Sequence, residues 1–224
     1  GIDPAIENTM AATGGIAFAV PAEGSEGMKL SDVDIHRYLA EGRIQIDPMP
    51  TESQIGAMSV DLQLGDTFQV FPPGKAAFVD LAPPVGHPSQ VPDKLMDRVT
   101  IPAGESFFLH PGELVLGITV QRILLPNDIA GRLDGRSSLA RLGLMVHATA
   151  HTIDPGWNGR ITLEFFNCGR LPLALRPGMR ICALSFETLM SPTSKPYAAR
   201  ADAKYRDQLD PLPSRINLEQ PLKE

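Results

Sequence analysis

RITLEFFNCGRLPLALRPGMRICALSF, residues 160–186, contains two apolar runs with a proline–glycine turn before the second. The first run, 160–166, alternates with a period of two, which places successive side chains on opposite faces of a β-strand. The second run, 180–186, follows Pro177-Gly178, a pair typical of turns. We therefore predict two short strands here. One face of the first would carry Thr162, Glu164 and Phe166, and the other Ile161, Leu163 and Phe165.

Similar short runs, separated by turn residues, extend through most of the chain. The sequence has 21 prolines and 20 glycines among 224 residues, so turns are frequent. Many short strands with frequent turns favour an all-β barrel or sandwich over a parallel α/β sheet. We predict a mainly β fold with a few short helices. Further strands are expected at 58–64, 68–71, 77–81, 106–109, 114–120 and 129–133.

One helix is predicted near the beginning of the organised chain. Ser31 and Asp34 have the spacing of a capping box, and Gly42 follows the apolar positions Ile35 and Leu39 as a stop signal. Residues 1–27 are rich in Gly, Ala and Pro without a hydrophobic period, and we interpret them as a disordered extension or an expression remnant. A single domain is expected over 28–215, followed by a C-terminal tail at 216–224.

Charge is distributed unevenly along the chain. The net charge is −6, which argues against a general nucleic-acid binder, since such proteins usually carry a basic face. Between 131 and 180, however, seven arginines and three acidic residues give a local charge of +4. A cationic patch in an acidic protein points to a small anionic ligand. The alternative, arginines scattered over a solvated surface, stays open.

The remaining composition indicates a cytoplasmic protein. The longest apolar stretch near the N-terminus, 16–20, is too short to cross a membrane, and no basic segment precedes it. Cys168 and Cys182 form no C-x-x-C motif, so we expect buried, reduced thiols.

Residues 135–141, GRSSLAR, concentrate groups that could bind phosphate. Two hydroxyls and two arginines can donate hydrogen bonds to phosphate oxygens, and the N-terminus of a short helix favours anions. Ser137, Ser138 and Arg141 could cap and open such a helix. A plain helix cap without a ligand is the alternative.

Two further stretches carry candidate side chains. Asp154-Pro155-Gly156 predicts a hairpin turn whether or not Asp154 has a function, and the nearby His151 could be structural. Glu164 is expected among bulky apolar residues on its strand. Such a carboxylate is either paired with an arginine for structure or kept for proton transfer.

Several catalytic signatures are missing from the sequence. There is no H-x-E with P-C-x-x-C, the motif of zinc-dependent base deaminases. Neither a P-loop, nor a Rossmann glycine motif, nor a G-x-S-x-G elbow is present. We therefore expect no zinc-dependent deamination chemistry.

The sequence resembles the dCTP deaminase family, in its monofunctional proteobacterial form, over about 28–215. The similarity is densest at 133–189 and extends to 59–62 (SVDL), 107–114 (FFLHPGEL), 196–197 (PY) and 202–208 (DAKYRDQ). Thr152 departs from the arginine common in close relatives. The resemblance implies a distorted β-barrel, or β-clip, of the dUTPase-like type.

The resemblance also implies hydrolysis of dCTP to dUTP and ammonia without zinc. Glu164 would be the general base, and Ser137 and Arg141 would hold the attacking water and polarise the site. Thr162, Leu163 and Glu164 would line the base, and Asp154 would contact the deoxyribose. Tyr197 and Gln208 would cover the nucleotide. The triphosphate would be held by Arg136, Ser137, Ser138, Leu139, Ala140, Arg141 and Lys204.

Partners follow from the same resemblance. Magnesium is expected on the triphosphate of dCTP, with no metal held by protein side chains. Inhibition by dTTP is expected, and the family is homotrimeric with shared sites. No nucleic acid or membrane partner is expected. Two alternatives remain: a bifunctional enzyme that converts dCTP to dUMP, against which His151 argues because such relatives tend to carry glycine there, and a non-catalytic nucleotide sensor on the same fold.

Overall fold

A computed structural model of the protein describes residues 28–75, 78–79, 81 and 95–216, and strands predominate among them. Helix α1 spans Asp32–Ala40 and helix α2 spans Ser137–Ala140. The predicted mainly β fold with a few short helices is confirmed. Strands β1 to β12 are, in order, Gln45–Asp47, Val60–Gln63, Thr67–Val70, Asp97–Thr100, Phe107–Leu109, Leu114–Leu124, Ile129–Gly135, Leu144–Met145, Thr152–Ile153, Asn158–Asn167, Leu173–Leu175 and Arg180–Thr188.

The described strands pair antiparallel in three sheets. One sheet has the order β4-β3-β6-β10-β8, with β1 also on β6, and a second has the order β2-β12-β7-β9. The third consists of β11 and β5. The core contains fully buried side chains from both larger sheets, among them Phe68, Phe165 and Phe186. Burial of this apolar surface is the main stabilising contribution to the fold.

Helix α1 begins and ends as the sequence predicts. Ser31 is its N-cap, and the reciprocal bonds of the capping box with Asp34 are both present. Glu41 is the C-cap, and Gly42 follows it with φ +69°, a left-handed conformation in which glycine is strongly favoured. Ile35 is fully buried on the inner face.

Most of the predicted strands are present. Three predictions, for one strand, one turn and one cysteine, need correction. Phe78 and Val79, within the expected strand at 77–81, are exposed and have no strand pairing, and the rest of that run, apart from Leu81, lies outside the described residues. Asp154-Pro155-Gly156 forms a turn but not a hairpin, because β9 and β10 belong to different sheets. Cys168 is exposed, although Cys182 is buried as expected.

The predictions for the chain ends lie almost entirely outside the described residues, which begin at Met28 and end at Ile216. No helix in the described part of the chain combines the length and apolar character needed to span a membrane.

A β-bulge in β6 lies opposite the part of β10 that precedes Glu164. Arg160 pairs with Arg122 and Thr162 pairs with Ile118, so three residues of β6 face the single residue Ile161. The buried Thr119 hydroxyl accepts a hydrogen bond of 2.9 Å from the Ile161 N–H, which the interrupted ladder would leave unpaired. Bulges of this kind bend a strand and re-aim its side chains.

Candidate active site

A cavity of about 510 Å³ opens on the outer face of β10. Its walls come mainly from β6, β10, the loop before β9 and residues 196–216, here called the C-terminal segment, and most of its side chains are apolar. Such a concave apolar space with a few polar groups is the usual form of a small-molecule site. The lining includes Leu116, Ala148, Trp157, Thr162, Glu164, Tyr205 and Gln208.

Glu164 is the acidic residue in this lining. It lies opposite Leu116 of β6, and its side chain is half-buried. The Ala148 N–H donates a hydrogen bond of 2.9 Å to Glu164 Oε2. Within the described residues its carboxylate forms no ion pair, so the structural pairing with arginine that the sequence left open is not observed. A carboxylate held by one backbone donor keeps acceptor capacity for water or ligand.

The two neighbours of Glu164 on β10 lie as the alternation predicts. Thr162 shares its face and lines the cavity, whereas the Leu163 side chain is fully buried in the core. Any contact from Leu163 to a ligand would therefore come from its backbone.

Gln208 anchors the C-terminal segment to β10. Its side chain is only 4% exposed, and its Nε2 donates to Thr162 Oγ1 at 2.7 Å and to the Arg160 carbonyl at 3.2 Å. The Arg160 N–H in turn donates to the Gln208 carbonyl at 2.8 Å. These bonds fix the segment beside β10, where it forms one wall of the cavity.

Tyr197 belongs to the same segment, and Asp154, in the turn before β10, pairs with Arg200 of that segment. The Tyr197 ring packs on Trp157 with centroids 5.1 Å apart, and its hydroxyl accepts a 3.0 Å hydrogen bond from the Tyr205 N–H. Burial raises the pKa of Tyr197, so the phenol stays neutral. Asp154 pairs with Arg200 at 3.1 Å, and Lys204, half-buried, lies seven residues beyond Tyr197.

The predicted phosphate-binding stretch, 136–141, does not line this cavity. Ser137, Ser138, Ala140 and Arg141 are exposed and Leu139 is half-buried. A short helix does begin at Ser137, as predicted, but the expected serine cap is wrong: Arg136 occupies the N-cap position of α2 and no side chain caps it. The Arg136 guanidinium instead pairs with Asp61 at 3.2 Å.

Some groups at the cavity could not be identified from the sequence. The Ala148 N–H acts through the backbone, so no residue type marks it. Leu212 and Ser214 line the cavity from an irregular stretch that has no periodic pattern. Among the described residues, no group of three or more His, Cys, Asp or Glu side chains is placed to hold a metal ion.

Comparison with a solved structure defines the class of fold. The chain is similar to the crystal structure of a 2'-deoxycytidine 5'-triphosphate deaminase from Agrobacterium tumefaciens, with a TM-score of 0.55 and 22% identity. The match covers 73% of this chain and 49% of that one. At this identity the match establishes the fold, a mainly β architecture shared with a nucleotide deaminase.

Comparison of sequences defines the family. The model of a dCTP deaminase-like family matches residues 29–189. The dCTP deaminase of Rhodospirillum rubrum is 72% identical over 193 residues, which are 86% of this chain and 99% of that protein. The dCTP deaminase of Pectobacterium atrosepticum is 54% identical over 191 residues, covering 85% and 99% respectively. The chain belongs to the dCTP deaminase-like family, which confirms the resemblance.

Proposed function

We propose that this protein hydrolyses dCTP to dUTP and ammonia, without zinc. The observation that carries the proposal is the 72% identity to a dCTP deaminase over nearly the whole length of that relative. The half-buried Glu164 carboxylate in an apolar cavity supplies a group suited to the chemistry. We also propose a cytoplasmic location, where a deoxynucleoside triphosphate is available.

Glu164 is the general base in this proposal. It takes a proton from a water molecule, whose oxygen forms a bond to C4 of cytosine while the C4=N3 π electrons move to N3. It then gives the proton to the exocyclic nitrogen, the C4–N bond to that nitrogen breaks, and ammonia leaves as the electrons on N3 re-form the π bond. Transfer of the remaining hydroxyl proton from oxygen to N3 completes the uracil ring. Ser137 and Arg141 hold the attacking water and stabilise the charge that develops. The Ala148 N–H fixes the orientation of the Glu164 carboxylate by donating a hydrogen bond to Oε2.

The nucleotide would lie against β10 with its base at Thr162 and Glu164. Asp154 would contact the deoxyribose, and Tyr197 and Gln208 would cover the ligand. Residues 136–141 and Lys204 would hold the triphosphate, which carries Mg²⁺ into the site as part of the substrate, since Mg²⁺ binds phosphates readily and keeps much of its water. We propose dTTP as a competitor for the same site.

We further propose that the protein is a homotrimer whose sites are shared between subunits. The proposal is supported by the separation within one chain: Glu164 lines the cavity, whereas Ser137 and Arg141 are exposed and do not. A second subunit could present its 136–141 turn to the first subunit's cavity. The exposed apolar side chains Leu142 and Met145, close to this turn, are suited to an interface.

Co-expression of two inactive variants tests the shared site. We expect Glu164→Gln and Arg141→Ala each to be inactive alone. When the two are co-expressed in equal amounts, about a quarter of the sites in a cyclic oligomer should combine both intact residues, with recovery of about 25% of wild-type activity. Activity is measured as ammonia release, and sedimentation gives the number of subunits. No recovery in verified mixed oligomers would show that each site lies within one chain.

Product analysis tests the reaction itself. Incubation with dCTP and Mg²⁺, followed by ion-exchange chromatography, is expected to give dUTP and ammonia in equal amounts, with no loss of activity after dialysis against a zinc chelator. Formation of dUMP and pyrophosphate would instead identify the bifunctional enzyme. Tight binding of dCTP without turnover would identify a sensor.

A further inference from the structure

Three charged side chains meet where β2, β12 and β7 lie side by side. Asp61 belongs to β2, Arg180 begins β12, and Arg136 directly follows β7. In the sheet, Ala183 of β12 pairs with both Asp61 and Asp134, so these strand ends are brought together by the register.

Asp61 is the shared acceptor of this cluster. Its Oδ2 lies 3.2 Å from Arg136 Nη2 and 3.7 Å from Arg180 Nη1. Arg136 Nη1 also donates to the Arg180 carbonyl at 3.2 Å. Both terminal nitrogens of Arg136 are therefore held, one by a carboxylate and one by the backbone of the neighbouring strand.

The cluster is partly withdrawn from water, which strengthens its effect. The Asp61 side chain is 20% exposed and that of Arg136 33%. Arg180 is itself fixed, because its Nη1 and Nη2 donate to the Ser53 carbonyl and hydroxyl at 2.5 and 2.6 Å. Arg136 is thus bonded to a residue that is itself held at both terminal nitrogens, and hydrogen bonds to charged groups of this kind are the stronger ones.

Arg136 stands directly before helix α2, so its attachment also bears on the position of that helix. Arg136 is the N-cap residue of α2, a helix without a side-chain cap, and Ser137 and Arg141 follow it within one and a half turns. Its carbonyl accepts hydrogen bonds from the N–H groups of Leu139 and Ala140, at 2.9 and 3.0 Å. Holding Arg136 therefore holds the turn that presents Ser137 and Arg141.

We propose that Asp61 is a positioning residue for the deamination reaction, which it serves by fixing Arg136 and, through it, the turn that carries Ser137 and Arg141. This inference rests on the proposed function. Because one carboxylate serves two guanidinium groups, the cluster also keeps a net positive charge for the triphosphate. Loss of the Asp61 charge should add to that attraction while loosening the turn.

The test is Asp61→Asn, with Asp128→Asn as the matched control. Asp128 is also partly buried, 30% exposed, and pairs with one arginine, Arg43, at 2.6 Å, but it is not part of the proposed site. For Asp61→Asn we expect kcat to fall about 10- to 100-fold, the scale of a misplaced catalytic group, while KM for dCTP stays equal or falls. The control should keep both constants.

The possible results distinguish failure of the positioning role of Asp61 from failure of the proposed function. A wild-type protein that binds dCTP without deaminating it would overturn the proposed function. An active wild type with unchanged kcat in Asp61→Asn would overturn the positioning role alone. Thermal unfolding of both variants detects a general loss of structure. A fall in kcat in proportion to the folded fraction, together with a rise in KM, would also contradict the proposal. Partial recovery of kcat by Asp61→Glu would support it.

Discussion

Replacing Glu164 with glutamine is expected to lower kcat for dCTP deamination by about 10³-fold, within the range that general-base catalysis contributes. The amide can still accept a hydrogen bond from the Ala148 N–H through its oxygen, so the side chain should stay in place. It cannot, however, take a proton from water. The measurement is ammonia release at saturating dCTP, with nucleotide binding followed by calorimetry.

The matched control is Glu105→Gln, which removes the same charge from an exposed turn. This variant should keep the activity and the affinity of the wild type. If Glu164→Gln retained more than about a tenth of wild-type kcat, the assignment of the general base would fail, because so small an effect lies below the usual contribution of such a group. Equal losses in both variants would point to net charge instead.

Replacing Gly143 with alanine is expected to lower the free energy of unfolding by about 2–5 kcal/mol. Gly143 joins α2 to β8 and has φ +96°, where any other L-residue is strained. An added Cβ would also lie 2.4 Å from the backbone nitrogen of Gly169, which cannot move aside as a flexible side chain can. Urea unfolding measures the loss.

Gly178→Ala is the control for this second prediction. Gly178 has φ +84°, but an added Cβ would meet nothing within 4 Å. This variant should cost only the conformational strain, about 1 kcal/mol. The difference between the two variants then measures the close contact between the Gly143 and Gly169 backbones. Equal destabilisation would mean that the contact relaxes at no cost.

The alternation in 160–166 was sufficient to place Glu164, because one face of β10 is buried and a period of two then decides which side chains face outward. Burial follows the pattern through the whole strand, from Asn158 to Asn167. Short strands such as β8 and β9, of two residues each, show no period and could not be predicted. Their pairing depends on the longer strands beside them.

The candidate site was only partly predictable, since its contacts join distant parts of the chain. The GRSSLAR stretch marked a cationic turn, but it could not show that Arg136 is held by Asp61 on another strand. The docking of Gln208 on Thr162 depends likewise on tertiary structure. The resemblance implied roles for Arg136, Thr162 and Gln208 but none for Asp61, and the contacts of all four depend on the fold.

Trp157, which packs on Tyr197, gives the protein an intrinsic fluorescence probe. Trp157 is the single tryptophan in the sequence, it lines the cavity, and its neighbour belongs to the C-terminal segment. Its emission therefore comes from one known place, beside both the cavity and the segment that borders it. If nucleotide enters this cavity as proposed, rapid-mixing fluorescence follows its entry in real time, in the unmodified protein and without an attached dye.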